Sequence, residues 1–300
     1  MTDILVIGAG PAGLTAALYA RRGEKEVTVV EKGAFGGQMT FSPRIENYPG
    51  FETVSGTALA DAMVSQVLNQ GANLEPDEIT RIEKIKDGFR AIGEYGVYEA
   101  KTVIIAAGAK HRQLGVEGEN RFTGEGISYC AVCDGAFYKG KRVAVIGGGN
   151  SALQEAVLLS EGCEKVTLVQ NLDYFTGEQK LIDTLKTRPN VEFITGAVVT
   201  GLVGETELEG IRISGKDGTR VLDVEGMFVA IGLVPQNEFA ASLINLDERG
   251  YVPSGEDTAT SCKGVFVAGD CRSKNIRQIA TAVADGASAA LAAIRYIDGM

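Results

Sequence analysis

A glycine-rich turn between two short apolar segments constrains this chain most, and it occurs twice. The first copy covers residues 8–13 and reads Gly-Ala-Gly-Pro-Ala-Gly, with a predicted strand before it at Ile4–Ile7. A predicted helix at Leu14–Arg22 follows the turn, and a second predicted strand at Val27–Val30 leads into Glu31. Strand, GxGxxG turn, helix, strand and acid in this order are typical of a dinucleotide-binding βαβ unit.

The residue types of this first turn suit a nucleotide ligand. Glycines let the backbone approach a pyrophosphate at the helix N-terminus, and the acid accepts hydrogen bonds from a ribose. The flanking strands and the acid distinguish the pattern from an ordinary glycine turn of an α/β protein. The residues that we expect to bind the dinucleotide are Gly8, Gly10, Pro11, Ala12, Gly13 and Glu31.

A second copy of the pattern begins at Gly147, which lies 139 residues after Gly8. It has predicted strands at Val143–Ile146 and Val166–Val169, a GxGxxA turn, and a predicted helix at Leu153–Ser160. This match of register predicts two homologous Rossmann-type units. The turn residues of the second candidate nucleotide site are Gly147, Gly149, Asn150, Ser151 and Ala152.

The two copies differ at the end of their second strand. Glu31 lies 23 residues after Gly8, and the same offset from Gly147 leads to Gln170. A glutamine can hydrogen-bond a ribose hydroxyl but carries no charge. We therefore interpret the second turn, with Gln170, as a site that could be vestigial.

Further segments complete the expected α/β architecture. An Ala-rich predicted helix at Ala280–Ile297 should pack closely against a sheet, and alternating, glycine-containing stretches at Thr80–Tyr98 and Val198–Val224 predict small antiparallel inserts. Apolar strands that end in small residues are predicted late in each unit and near the C-terminus, at Val103–Gly108, Met227–Gly232 and Gly264–Asp270.

Composition limits the classes of function. Lys and Arg number 29 against 39 Asp and Glu, so the net charge is −10 and nucleic acid is not an expected partner. No apolar run approaches the roughly 18 residues of a membrane span, and we find no export signal. We therefore expect a cytoplasmic protein with no membrane partner, and its 300 residues predict two domains.

The cysteines point to redox chemistry. Cys130 and Cys133 are three residues apart and are followed by Asp134, a spacing that indicates a redox pair in an intracellular α/β protein. A zinc half-site is the alternative, but zinc needs four ligands and no second paired half-site is present. The remaining candidate ligands are Cys163, Cys262, Cys271 and the sole histidine, His111. They form no paired half-site, and the sequence does not define their roles.

Together these features resemble the low-molecular-weight thioredoxin reductases of bacteria and archaea, over essentially the whole chain. The resemblance implies an α/β fold with two Rossmann-like three-layer nucleotide-binding domains, the second inserted in the first, and a homodimer. The implied bounds are 1–111 and 238–300 for the FAD-binding domain and 112–237 for the inserted domain. The matching segments are the first glycine turn, Gly36-Gly37-Gln38, Glu46-Asn47-Tyr48-Pro49-Gly50, Cys130-Ala131-Val132-Cys133-Asp134-Gly135, and Gly269-Asp270 with Arg277-Gln278.

The resemblance also implies a role for each site residue. Cys133 would exchange electrons with the flavin of FAD, and Cys130 would attack the disulfide of a thioredoxin-like partner. Asp134 would protonate the leaving thiolate, since a nearby carboxyl group can move a thiol's proton. The other residues implied to line FAD are Gly36, Gly37, Gln38, Asn47, Ala107, Gly108, Gly269, Asp270, Arg277, Gln278 and Ile279.

The chain departs from this family where NADPH would bind. Family members carry a His-Arg-Arg run and a further Arg for the 2′-phosphate, whereas the matching text here runs from Gln170 to Thr176 without an arginine and includes Asp173. Losing two or three charged contacts, at about 1.5–3 kcal/mol each, weakens NADPH binding by orders of magnitude. NADPH is therefore an unexpected donor, and the sequence does not decide whether NADH binds.

Three hypotheses for the electron donor follow. A ferredoxin could deliver electrons directly to FAD, as in pyridine-nucleotide-independent members of the family; NADH could bind the intact second turn; or NADPH could be used weakly. We favour the first slightly over the second. An acidic ferredoxin needs a basic patch. The candidate patches are Lys139 with Lys141 and Arg142, and separately Lys110 with His111 and Arg112.

One alternative function shares most of these features. An FAD-dependent dithiol oxidase acting on a small-molecule dithiol also has a cysteine pair and FAD, and it needs no NADPH. The Cys-Ala-Val-Cys sequence and Asp134 favour the reductase. Rapid oxygen consumption with a small dithiol would indicate the oxidase.

Overall fold

The computed structural model describes residues 1–42, 44–216 and 218–299. The chain forms two compact units, of which the first contains Met1–Lys110 and Val234–Met300 and the second contains His111–Leu233. Within the described residues, no helix is both long and apolar enough to cross a membrane. The second unit therefore interrupts the sequence of the first.

The regular elements are numbered here in chain order. The strands are β1 (Thr2–Ile7), β2 (Val27–Glu31), β3 (Asn73–Pro76), β4 (Ile79–Ile85), β5 (Gly88–Gly93), β6 (Val97–Ile105), β7 (Ala109–His111), β8 (Ile127–Ser128), β9 (Arg142–Ile146), β10 (Lys165–Val169), β11 (Val191–Ile194), β12 (Ala197–Val203), β13 (Gly210–Gly215), β14 (Gly218–Asp223), β15 (Gly226–Val229), β16 (Leu233–Pro235) and β17 (Val265–Val267). The α-helices are α1 (Pro11–Arg22), α2 (Gly56–Asn69), α3 (Glu119–Phe122), α4 (Ala131–Asp134), α5 (Asn150–Ser160), α6 (Gln179–Lys186) and α7 (Ile279–Asp298). Short 3₁₀ helices cover Gly37–Phe41, Gly135–Tyr138, Glu238–Ala240 and Gly269–Cys271.

The first unit has a sheet with strand order β3-β2-β1-β6-β5-β4, and β17 also pairs with β6. β1 lies parallel to both β2 and β6, while β4, β5 and β6 are antiparallel, as the alternation of Thr80–Tyr98 predicts. Side chains alternate between the two faces of β1, with Ile4 and Val6 in the core under α1 and α7, and Leu5 and Ile7 in the core on the other face. The sheet is thus covered on both sides.

The second unit has a parallel sheet with strand order β11-β10-β9-β15-β8. One face packs against α5 and α6 through residues such as Leu153 and Leu185. The other face packs against the antiparallel sheet β12-β13-β14, which the alternation of Val198–Val224 predicts. Both units are therefore three-layer Rossmann-like folds, and the predicted fold class is confirmed.

Several elements begin or end at residues that differ from the predicted bounds. α1 begins at Pro11 rather than Leu14, because Gly10 has the extended conformation of a helix N-cap and proline suits the first helical position. α5 likewise begins at Asn150 after Gly149. Near the C-terminus the strand ends at Val267, and the predicted Gly-Asp end of that strand lies in a 3₁₀ turn.

Candidate active site

The first glycine turn connects β1 to α1 and needs its glycines for close backbone contacts. Gly8 has φ +105°, and a Cβ there would lie 2.3 Å from the carbonyl oxygen of Ala106. A Cβ on Gly13 would lie 1.8 Å from the carbonyl oxygen of Gly8. Gly10 differs, because a Cβ on it would have no neighbour within 4 Å. The open space beside Gly10, at the N-terminus of α1, is where a pyrophosphate can approach.

Glu31 holds this turn in place from the end of β2. Its Oε2 accepts a hydrogen bond from the backbone N–H of Ala9 at 2.7 Å, and its Oε1 accepts one from Gly33 at 2.8 Å. Each carboxylate oxygen keeps a further lone pair that can accept a ribose hydroxyl. The acid therefore both orders the turn and remains able to bind a ligand.

Two other predicted segments meet the first turn. The Gly36 N–H donates to the Ala9 carbonyl at 2.8 Å, and a Cβ on Gly37 would lie 3.0 Å from the Cα of Gly10. Gly269 has φ +79°, and a Cβ on it would lie 2.9 Å from the Cβ of Ala12. The fold thus brings segments from both ends of the first unit to the start of α1.

Side chains of the remaining predicted segments also interact within this unit. The Asn47 amide donates to Gln278 Oε1 at 3.2 Å, and Gln278 is the N-cap of α7. The Arg277 guanidinium lies 4.6 Å from the ring centroid of Tyr251. Gln38 donates to the Ala109 carbonyl, and Ile279 packs against the apolar cluster that contains Met39. The structure therefore groups residues that the sequence predicts for one cofactor.

The redox cysteines lie in the second unit, where Cys130 and Cys133 form a disulfide. Cys130 is the N-cap of the one-turn helix α4, and its sulfur accepts a hydrogen bond from the Cys133 N–H at 3.2 Å. Val132, between the cysteines, is 62% exposed. The pair is thus at the surface of its unit, with a backbone donor directed at the Cys130 sulfur.

Asp134 ends α4 and is held by a hydroxyl group. Ser128 Oγ donates to Asp134 Oδ2 at 2.6 Å, whereas Asp134 Oδ1 is buried and has no hydrogen-bond partner among the described residues. Burial raises the pKa of Asp134, and the bond from Ser128 opposes this only in part. The carboxyl therefore holds a proton more readily than an exposed aspartate does.

The second glycine turn has the same backbone as the first. Gly147 has φ +136°, and a Cβ there would lie 2.5 Å from the Ala230 carbonyl oxygen. The carbonyl of Gly148 accepts hydrogen bonds from the N–H groups of Thr176 and Gly177 at 2.8 and 3.0 Å. Gly149 precedes α5 as its N-cap. The predicted register between the two turns therefore corresponds to matching local structure.

Gln170, at the end of β10, is directed into its own loop. Its side chain is buried, its Nε2 donates to the Tyr174 carbonyl at 3.3 Å, and its Oε1 accepts the Asn171 N–H at 3.1 Å. Beyond it, the exposed Asp173 carboxylate pairs with Lys216 at 2.7 Å. The segment from Gln170 to Thr176 thus presents an exposed carboxylate and contains no arginine.

Comparison with known proteins decides the family. Residues 2–286 match the model of the pyridine nucleotide-disulphide oxidoreductases. The chain belongs to the pyridine nucleotide-disulphide oxidoreductase family. Its relatives include a thioredoxin reductase of Listeria monocytogenes, which is 39% identical over 99% of this chain and 94% of its own length.

Two further relatives cover nearly the whole chain. The structure of a thioredoxin reductase from Streptococcus pyogenes matches it with a TM-score of 0.95 and 40% identity, over 100% of this chain and 99% of that one. A 34.2 kDa protein in a rubredoxin operon of Clostridium pasteurianum is 43% identical over 99% of this chain and 97% of its own length. This member of the family is a flavoprotein disulfide oxidoreductase, as predicted.

The first unit of this oxidoreductase fits FAD on two observations. A cleft of about 480 Å³ is lined by Gly8, Glu31 and Ala107, together with residues after Val234 such as Gln236. Asp270 Oδ1 is buried with no hydrogen-bond partner in the described part of the chain, so it is available to a ligand hydroxyl. Burial raises the pKa of Asp270 to about 6.

The predicted basic patches of the oxidoreductase are weaker than the sequence indicates. Arg142 pairs with Asp223 at 2.6 Å and with Glu225 at 3.7 Å, so its charge is compensated locally. Burial lowers the pKa of His111 to about 4, which leaves this side chain neutral at pH 7. Among the described residues, no carboxylate forms an ion pair with Lys110, Arg112, Lys139 or Lys141.

Two site residues are missed by the sequence reasoning. Asp285, on α7, accepts hydrogen bonds from the Gly269 N–H and from Arg272 and Lys274 at 2.8–3.0 Å, and so orders the turn before Asp270. The sequence signal for Asp285 is an acid within an otherwise Ala-rich predicted helix. Ser128 carried no signal, because its bond to Asp134 depends on folding.

Proposed function

We propose that this protein is an FAD-dependent thioredoxin-disulfide reductase that passes electrons through Cys130 and Cys133 to a thioredoxin-like protein. Relatives named thioredoxin reductase, aligned over nearly the full chain, support the substrate class. The exposed position of Val132 between the cysteines supports access by a protein partner. The resemblance also supports a homodimer.

The geometry of Cys130 carries the assignment of the attacking thiol. When the disulfide opens, a thiolate on Cys130 keeps the hydrogen bond from the Cys133 N–H and lies at the N-terminus of α4. Backbone donors of this kind lower a thiol's pKa and stabilise the nucleophilic thiolate. Cys130 therefore attacks the partner disulfide, and Cys133 attacks Cys130 in turn to release the partner.

Asp134 supplies the proton for the first released thiolate. Its raised pKa keeps it protonated more often than an exposed aspartate, and Ser128 fixes its Oδ2. The first turn, Glu31 and Asp270 would hold FAD, which would supply the two electrons that reduce the disulfide. Cys133 would receive these electrons, and the cysteine sulfurs would take up two protons as the bond between them breaks.

We further propose that the electron donor is a ferredoxin-like protein rather than NADPH. The observation that supports this is Gln170, whose amide makes both of its hydrogen bonds inside its own loop. The exposed Asp173 carboxylate adds a negative charge where a 2′-phosphate would lie, and Lys216 is already paired with it. NADPH lacks its charge-assisted donors, and NADH lacks the acid that would bind its ribose.

Single-cysteine variants test the proposed roles. Cys130→Ser should abolish thioredoxin reduction while the flavin remains reducible, and Cys133→Ser should stop electron flow between flavin and thiols. Each variant is incubated with a thioredoxin that lacks its resolving cysteine, and the mixed disulfide is identified by peptide mass. Cys262→Ser, at a half-buried thiol outside the pair, is the control and should retain full activity. A mixed disulfide formed through Cys133 in the native protein would reverse the assignment.

A further inference from the structure

A second buried carboxyl group lies beside the helix of the redox pair. Helix α5 packs against Ala131, the residue directly after Cys130, through Ala152 and Ala156. Glu155, in the middle of α5, faces the backbone N–H of Ala131. Its Oε2 atom is buried and has no hydrogen-bond partner among residues 1–42, 44–216 and 218–299. Two carboxyl groups therefore lie at α4: Asp134 is its last residue, and Glu155 lies beside its first residue, Ala131.

A buried carboxylate oxygen without a partner is unfavourable when the group is ionised. Burial accordingly raises the pKa of Glu155 to about 7, although the Ala131 N–H opposes this shift. Glu155 thus changes its charge in the pH range in which thiols and disulfides exchange. Perturbed carboxyl groups next to a redox pair are candidates for a functional role.

No ion pair compensates Glu155 in the described part of the chain. Burial is the cause of its raised pKa, and the Ala131 N–H acts in the opposite direction. Arg142 and Lys165 have carboxylate partners elsewhere. Other titratable and charged groups surround α5. Besides the redox cysteines, they lie on its C-cap and on the elements and segments packed against it: Asp134, Tyr138, Arg142, Glu161, Cys163, Lys165, Glu178, Lys180, Asp183 and Lys186.

We propose that Glu155 is a positioning residue for the redox pair, and that its charge sets the pH range over which Cys130 is a thiolate. The two groups are separated by the Ala131 peptide, so ionisation of one opposes ionisation of the other. A protonated Glu155 permits the Cys130 thiolate, and an ionised Glu155 opposes it. The inference rests on the proposed function, in which Cys130 is the attacking thiol.

The test measures thiolate formation directly in the FAD-loaded, full-length protein. The disulfide is reduced with dithiothreitol, the reductant is removed under argon, and short iodoacetamide pulses are applied between pH 5 and 9. Peptide mass spectrometry then gives the alkylation rate of Cys130 and of Cys133 separately. We expect Glu155→Gln to lower the pH midpoint for Cys130 by about one unit, and to raise its alkylation rate at pH 7 about fivefold.

Three further variants separate charge from structure. Glu155→Met also removes the charge, with a side chain of similar length, and should give the same shift; it serves as the neutral variant if Glu155→Gln folds poorly. Glu155→Asp keeps a carboxyl group and should restore the native profile. Glu161→Gln removes a charge from the exposed C-cap of the same helix and should change nothing.

The outcomes distinguish this inference from the proposed function. Native-like profiles for Cys130 in both neutral variants would overturn the role of Glu155 and leave the assignment of Cys130 intact. Faster alkylation of Cys133 than of Cys130 in the native protein would instead overturn the assignment on which the inference rests.

Discussion

The two glycine turns have the same backbone but different surroundings. In each turn the carbonyl of the residue after the first glycine accepts a hydrogen bond from the segment beyond the second strand. The Gly36 N–H donates to Ala9 in the first turn, and the Gly177 N–H donates to Gly148 in the second. The glycine spacing thus fixes how the chain passes from strand to helix. It does not by itself determine which ligand is bound.

The difference lies at the end of the second strand. Glu31 lines a cleft of about 480 Å³, and its carboxylate oxygens can each accept another hydrogen bond. Gln170 is buried, and its amide bonds to Tyr174 and Asn171 in its own loop. This comparison teaches that two turns of one backbone differ in one residue and the segment after it: Glu31 keeps acceptor capacity beside a cleft, and the Gln170 amide is engaged in its own loop.

The largest expected effect comes from equivalent glycines in the two turns. Gly10→Ala should lower FAD affinity by more than about 100-fold while the chain remains folded, because its methyl group would occupy the open space for the pyrophosphate. Gly149→Ala is the matched control, since a Cβ there would lie 3.9 Å from its nearest neighbour, Thr176 Oγ1. For both variants, flavin absorbance per chain measures the FAD content and circular dichroism measures folding. Equal loss of FAD in the two variants would contradict the comparison.

A smaller effect is expected at the ends of the two second strands. Glu31→Gln should weaken FAD binding about 10- to 100-fold, because a charge-assisted bond to the ribose is lost. Gln170→Glu, the matched change, should leave the FAD content unchanged. It should also raise NADH-dependent flavin reduction by at most about tenfold, without raising NADPH-dependent reduction. Titration of the apoprotein with FAD measures the affinity, and stopped-flow absorbance measures the rate of flavin reduction. A faster reduction by NADPH in Gln170→Glu would show that a phosphate site persists.

The smallest effect is a pH dependence of FAD binding. Burial raises the pKa of Asp270 to about 6, and in the proposed site its carboxylate would accept hydrogen bonds from the hydroxyl groups of FAD. Below pH 6 the group is protonated before FAD binds, so affinity should fall by up to about tenfold per pH unit. FAD fluorescence during titration at pH 5 and 7 measures this. Asp270→Asn should bind more weakly and lose the dependence; an unchanged slope in that variant would exclude Asp270 as its source.

Local sequence patterns account for most of the fold. The glycine turns, the parallel strands and the antiparallel inserts were predictable, because hydrophobic periodicity and glycine spacing act within a few residues. Helix starts were predicted less well, since Gly10 and Gly149 act as N-caps and extend each helix by about one turn.

The parts of the site that depend on tertiary packing could not be predicted. The register of the two turns predicts that Gln170 replaces an acid, but the hydrogen bonds of its amide within its own loop depend on how residues 171–174 fold. Asp285 and Glu155 have no distinguishing pattern in the sequence, because only packing places Asp285 beside Gly269 and Glu155 beside Ala131. The pairing of Arg142 with Asp223 likewise joins residues 81 positions apart.

The most direct test of the account is anaerobic stopped-flow reduction of the bound flavin by three donors. NADPH, NADH and a reduced ferredoxin are each mixed with the FAD-loaded protein at matched concentrations, and bleaching of the flavin band is followed. The account predicts that reduced ferredoxin bleaches the flavin at least about 100-fold faster than either nucleotide, and that NADPH has no advantage over NADH. Reduction within milliseconds by micromolar NADPH would contradict it, because the segment from Gln170 to Thr176 would then have to bind the 2′-phosphate without an arginine.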